Sequence, residues 1–142
     1  MKSLPNPIKP SELIRLAMCD EKKAHASKDY TVDMREWHEP LGSTCRVCFA
    51  GAVMAFSLDV DVNHHVTPKG FDQHTFHCLL ALDSFRIGKV HVGLYVMGLS
   101  DMRGKGDLPR KLDRDVMPYA VDRRAFLAAM EKLSEDLEAI DL

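Results

Sequence analysis

Cys45 and Cys48 stand three apart, ahead of His64, His65, His74, His77 and Cys78, and these residue types are the makings of a zinc site. Zinc takes four borderline or soft donors in a tetrahedron, and a C-x2-C pair supplies two of them from one short segment. On a helix, His74 and Cys78 lie one turn apart and would complete the set as Cys45, Cys48, His74 and Cys78. The second pair departs from the usual H-x3–5-H spacing, however, and Cys48 and Cys78 fall in apolar runs where a reduced cysteine packs as a small hydrophobe. Buried structural thiols are therefore the favoured reading. No metal or other cofactor is expected, and a small zinc-binding domain is the alternative.

Two further chemistries use the same residues. A cysteine in the first turn of a helix has its thiolate stabilised by the helix dipole, so Cys45 and Cys48 could form a redox pair. A thioredoxin-like site would need a βαβ unit around them, and a loop containing Pro40 and Gly42 precedes them instead. A nucleophile and base could be assembled from His38 beside Glu39, or from Cys45 and a histidine. With seven histidines in the chain such pairings arise freely, and the expectation is that the histidines lie on the surface. No phosphate loop, G-x-G-x-x-G or H-E-x-x-H is present. An enzyme of unknown class ranks third.

The elements that must position these residues read mainly as helices. Pro5, Pro7 and Pro10 keep residues 1–10 extended, and Ser11 then caps a helix whose end, Asp20 to Lys23, reads as solvated. Tyr30 to Trp37 alternates like a short strand, and His38 to Gly42 reads as a loop. From about Thr44 to Leu58 the chain is apolar on nearly every side, which predicts a central buried helix with Gly51 placed for close helix packing. Asp59 to Gly70 reads as a loop. Asp72 caps a third helix ended by Gly88, and Asp122 caps a last one whose apolar residues recur three and four apart. Val90 to Met97 fits strand and helix equally. The fold class expected is mainly α, about four helices with at most a minor short β element.

The chain's 142 residues, 46% hydrophobic and 28% charged, have room for one core, so a single domain over 1–142 is expected. No apolar run approaches the roughly 18 residues of a membrane span, and no apolar signal core opens the chain, so the protein is expected to stay in the cytoplasm with no membrane partner. Four cysteines are too few for a secreted disulfide scaffold. A net charge of −2 disfavours nucleic acid as a partner except through a local basic loop. Such a loop exists: residues 100–118 lack periodicity and carry Arg103, Lys105, Arg110 and Lys111. Loops that long are uncommon unless functional or disordered, so these four residues, with Trp37 as an aromatic anchor, are the expected partner-binding surface.

Trp37-His38-Glu39-Pro40, the run Cys45-Arg46-Val47-Cys48-Phe49-Ala50-Gly51-Ala52-Val53-Met54-Ala55, and Leu79 to Gly88 with Ala81-Leu82-Asp83 and Arg86 together resemble small uncharacterised proteins of bacteriophages and prophages. The likeness covers roughly the middle third of the chain. Families of this kind carry no assigned activity, so the resemblance implies a setting, the cytoplasm of an infected bacterium. The expectation is a non-enzymatic protein-binding module, a phage accessory protein that inhibits or modulates a host protein complex.

Overall fold

The computed structural model describes residues 2–83 and 122–142. In chain order the elements are α1 (Pro10–Ala26), β1 (Tyr30–Val32), β2 (His38–Leu41), β3 (Thr44–Val47), α2 (Phe49–Phe56), a 3-10 turn (Pro68–Gly70), α3 (Gln73–Asp83) and α4 (Arg123–Ala139). The strands form one mixed sheet in the order β1-β3-β2, with β1 parallel and β2 antiparallel to β3. The expected mainly α class is thus corrected to α+β: among the described residues four helices still dominate, but a three-stranded sheet takes in the start of the segment where a helix was expected.

The correction turns on Thr44 to Leu58. Its first four residues are strand β3, where burial alternates, Cys45 and Val47 inward and Thr44 and Arg46 half-exposed. Only from Phe49 does the chain become helical. An apolar run alone cannot tell a buried strand from a buried helix, and the β-branched Thr44 and Val47 favour the strand. The expected loop at His38 to Gly42 became β2 for a related reason. Gly42, at φ +63°, opens a two-residue turn that pairs Leu41 with Thr44, and glycine at the first turn position suits a tight hairpin. With Leu41 and Thr44 as the hydrogen-bonded pair, Pro40 and His38 direct their backbone groups outward, so Pro40 costs the ladder nothing.

The helix caps follow the sequence more closely. Asp72 Oδ1 accepts the Thr75 N–H at 2.9 Å and Asp122 Oδ1 the Ala125 N–H at 3.1 Å, each filling a donor that the first turn leaves open. At α1, Pro10 takes the first helical position and Glu12 accepts the Lys9 N–H at 3.3 Å. The expected cap, Ser11, is buried inside the helix, and its N–H and hydroxyl both donate to the Leu142 carbonyl, each at 3.1 Å. The stop at Gly88, the 90–97 segment and the 100–118 loop lie outside the described residues.

One core joins the elements, with α1 packed against both α2 and α4 and α2 against α3. Leu13, Ile14, Phe49, Met54, Leu58, Leu79, Leu82 and Phe126 are its largest fully buried side chains, and Phe49 meets Phe126 at a ring separation of 5.4 Å. Gly51 is needed here, though not for helix crossing. A Cβ on it would lie 1.5 Å from the backbone oxygen of Trp37, so α2 seats directly against the chain that enters β2. Asp20 and Glu21, expected in solvent, are fully buried. Glu21 is held by a two-point ion pair with Arg123, Nε to Oε1 at 2.9 Å and Nη2 to Oε2 at 3.2 Å, which ties α1 to the start of α4. Ser57, at the end of α2, donates to Asp20 Oδ2, and Lys23 lies 3.5 Å from Oδ1.

Two stability predictions follow from these contacts. Gly51→Ala gains about 1 kcal/mol of helix propensity but forces a methyl group into immovable backbone, so urea unfolding should register a net loss of about 3 kcal/mol; any gain in stability would refute the close approach. Arg123→Met removes the two-point guanidinium partner of the buried Glu21 carboxylate and should cost roughly 3 kcal/mol, and adding Glu21→Leu should restore most of it, because the penalty lies in burying a carboxylate stripped of that ion pair. A double variant no more stable than Arg123→Met in the same titration would contradict that cause.

Candidate functional site

The hairpin brings together the two residue types best suited to nucleophilic chemistry. His38 opens β2 and Cys45 lies on the adjoining strand, two register positions from His38's partner Val47 and on the same face, with its Sγ 3.5 Å from His38 Nδ1. Both are buried, His38 at 2% exposure, so the expected surface histidine is a core residue here. Tyr30 of β1 closes one side, its ring meeting His38 edge-on at 6.1 Å and Phe56 of α2 at 5.3 Å.

The protons in this cluster are fixed by geometry. His38 Nδ1 lies 2.6 Å from the His64 carbonyl oxygen. A carbonyl only accepts, so Nδ1 carries the hydrogen and donates it there. The nitrogen nearest the thiol therefore has no lone pair with which to take the thiol proton. The lone pair is on Nε2, which is buried and has no hydrogen-bond partner among the described residues. Burial pushes the Cys45 thiol up to about 11 and holds His38 below its ordinary value, the His64 backbone bond opposing that shift. Both groups are neutral near pH 7. This is the opposite of the thiolate and imidazolium of an activated cysteine, whose thiol is lowered rather than raised.

The other sequence candidates are dispersed. Cys48 precedes α2 and Cys78 lies in α3, both in the main core, whereas Cys45 packs with Ala24, Val47 and Ala52 in a second, smaller cluster. His74 and Cys78 do adjoin, one helical turn apart with Nε2 3.6 Å from Sγ, but His74 Nε2 also lies 3.2 Å from the Pro5 carbonyl. Burial raises the Cys78 thiol to about 12. Among the described residues no three of His, Cys, Asp and Glu stand together as metal ligands, so of the quartet Cys45, Cys48, His74 and Cys78 only His74 and Cys78 adjoin, and Cys45 and Cys48 lie in separate clusters. Trp37 is half-buried, packed on the core with its ring 6.3 Å from that of Phe76. Arg103, Lys105, Arg110 and Lys111 lie outside the described residues.

Sequence reasoning missed a different feature, the outer edge of β1. Cys45 N–H donates to the Asp29 carbonyl at 2.9 Å and Asp33 N–H to the Val47 carbonyl at 2.8 Å. In this parallel pairing the odd-numbered residues face β3, so Tyr30 and Val32 direct their backbone N–H and C=O groups away from the sheet. Beside them lies a hollow of about 440 Å³ lined by His25, Tyr30, Thr31, Val32 and Arg123. The far edge, β2, is closed differently: Pro40 offers no donor, and the His38 carbonyl accepts the Val66 N–H at 3.5 Å. A strand of three residues carries too little pattern for its edge to be legible from sequence. Among the described residues no helix is long and apolar enough to cross a membrane.

The neutral pair predicts a reactivity order. In the native protein at about pH 8, exposed Cys19 should be alkylated readily while Cys45 reacts at least ~100-fold more slowly, the product of burial and a thiolate fraction about a hundredth of normal. Peptide mass spectrometry after brief iodoacetamide treatment reads both sites, and comparable rates would refute the protonation state. The raised thiol also stabilises the fold below about pH 9, and that contribution should fade between about 9 and 11 as the unfolded chain ionises first. No protein-family model, no curated protein and no solved structure matches the chain.

Proposed function

We propose that the protein is a non-enzymatic protein-binding module that engages an extended segment of a partner along the outer edge of β1. The observation that carries this reading is the pair of outward-facing residues, Tyr30 and Val32, beside the 440 Å³ hollow. An extended peptide laid there would gain main-chain hydrogen bonds from the edge and side-chain contacts from the hollow, which is the logic of strand addition. His25 and Arg123 line the hollow, and the Arg123 guanidinium is already paired with Glu21, so the main-chain edge rather than a free positive charge carries the proposed contact. The neutral state of Cys45 and His38 supports a binding role over nucleophilic catalysis. On the resemblance to phage proteins, such a module would work in the cytoplasm of an infected bacterium, with a host complex as the partner to be modulated. The basic residues Arg103, Lys105, Arg110 and Lys111 would serve the same partner as a second contact.

The test is a proline placed where it removes an outward donor and leaves the β3 ladder intact. Val32→Pro deletes an N–H that points away from β3, whereas Thr31→Pro deletes one that points toward it. Val32→Pro should keep the far-UV circular dichroism spectrum and lose most of the capture of a bacterial host protein, and Thr31→Pro should lose structure. Undiminished capture by a folded Val32→Pro would refute the edge as the binding surface. Changing Arg103, Lys105, Arg110 and Lys111 to Glu should weaken the same capture.

A further inference from the structure

Residues 61–66 run beside β2, and among the described residues both hydrogen bonds that join them to the sheet end on one residue. His38 Nδ1–H donates to the His64 carbonyl at 2.6 Å, and the Val66 N–H donates to the His38 carbonyl at 3.5 Å. The segment's other bonds are internal: Asp61 Oδ1 accepts the Asn63 N–H at 2.8 Å and the Asp61 carbonyl accepts the His64 N–H at 3.0 Å. Val62 and Val66 add only partly buried contacts with the two clusters. One of the two, the Nδ1–H bond to His64, is made by the ring itself, so the seating of residues 61–64 on β2 depends on the state of that imidazole, while the Val66 bond to the backbone carbonyl does not.

That imidazole has a single tolerable protonation state. Nδ1–H is committed to His64, and a proton added to Nε2 would become a buried donor with no acceptor among the described residues. The titratable groups facing the ring are Tyr30 from β1, Cys45 from β3, and Asp61 and His64 from the loop. Tyr30 and Cys45, raised to about 12 and about 11, stay neutral throughout the acidic range. Asp61 favours the imidazolium and His64 opposes it, both weaker than the cost of burial.

We propose that His38 is a pH-operated latch: in its neutral form it holds residues 61–66 on β2, and protonation releases that loop from the edge. The outward step exposes the ring to water, which supplies the acceptor that Nε2–H lacks inside. Burial holds His38 below its ordinary 6.5. Neutral His38 therefore stabilises the closed loop fully above about 6.5, and that stabilisation is lost as pH falls from there through the lower folded value. The coupling is about tenfold in the closed-to-open ratio for each pH unit between the two values.

Amide hydrogen exchange of residues 61–66, corrected for intrinsic rates, should lose protection between about pH 7.5 and about pH 5 while α1 stays protected. In His38→Asn a side-chain donor to His64 remains but cannot titrate, so protection should become independent of pH; in His38→Phe the loop should open at every pH. Should the variants not fold, ring ¹⁵N shifts of the wild type decide the matter. They should report the Nδ1–H form at neutral pH and a protonation below 6.5 that coincides with loop opening. Loop protection that ignores pH, a pH dependence that survives in His38→Asn, or a ring that titrates at 6.5 or above with the loop still closed would each overturn the proposal.

Discussion

The described structure hangs on the seating of α2 against the chain that enters the sheet, a contact closed to any side chain at Gly51. With the Trp37 carbonyl over Gly51 and β3 leading into α2 through Cys48 alone, the helix and the hairpin form one continuous unit. That unit puts Phe49, Val53 and Met54 into the main core on one side and Cys45, Val47 and Ala52 into the smaller cluster on the other. α1 then covers α2, and α4 covers α1. An added methyl group at Gly51 would lift the helix off the backbone that fixes β2, which is why a residue unfavourable to helices sits near the start of the most buried helix.

Buried charge fastens the second layer. The Glu21–Arg123 pair connects positions 102 residues apart in sequence, and Asp20 receives the Ser57 hydroxyl at the end of α2. Burial raises Asp20 above the ordinary carboxylate range, against the lowering effects of Ser57 and Lys23. Such contacts add less stability than an apolar replacement would, but an unmatched buried charge is costly, so they penalise any arrangement in which α1 and α4 slide past one another. The same low-dielectric setting keeps His38 and Cys45 neutral, which turns a residue pair with catalytic chemistry into a structural one.

Among the described residues, the two sheet edges treat their outward-facing backbone groups differently. β2 removes one outward donor with Pro40 and satisfies an outward carbonyl with Val66, devices that prevent further pairing. β1 has no proline, and its outward groups adjoin a hollow lined by His25, Thr31 and Arg123. On the roles proposed above, recognition falls to one edge and conformational control to the other.

The sequence by itself determined the features whose physics is local. Asp72 and Asp122 cap α3 and α4 because a carboxylate three residues before an open N–H needs no distant partner, and the three- and four-residue spacing of Phe126, Met130, Leu133 and Leu137 defines the buried face of α4. The lack of a long apolar helix among the described residues was legible for the same reason. Only the tertiary structure decided that Thr44 to Val47 pairs as a strand, since an apolar run is compatible with either element until a partner strand supplies its hydrogen bonds. It alone placed Asp20 and Glu21 in the interior, because their polar type signals solvent unless Ser57 and Arg123 are known to meet them. The neutral His38 and Cys45 pair was likewise beyond sequence: two reactive residues seven apart acquire their protonation states from burial and from a carbonyl at His64, and neither is written in the spacing between them.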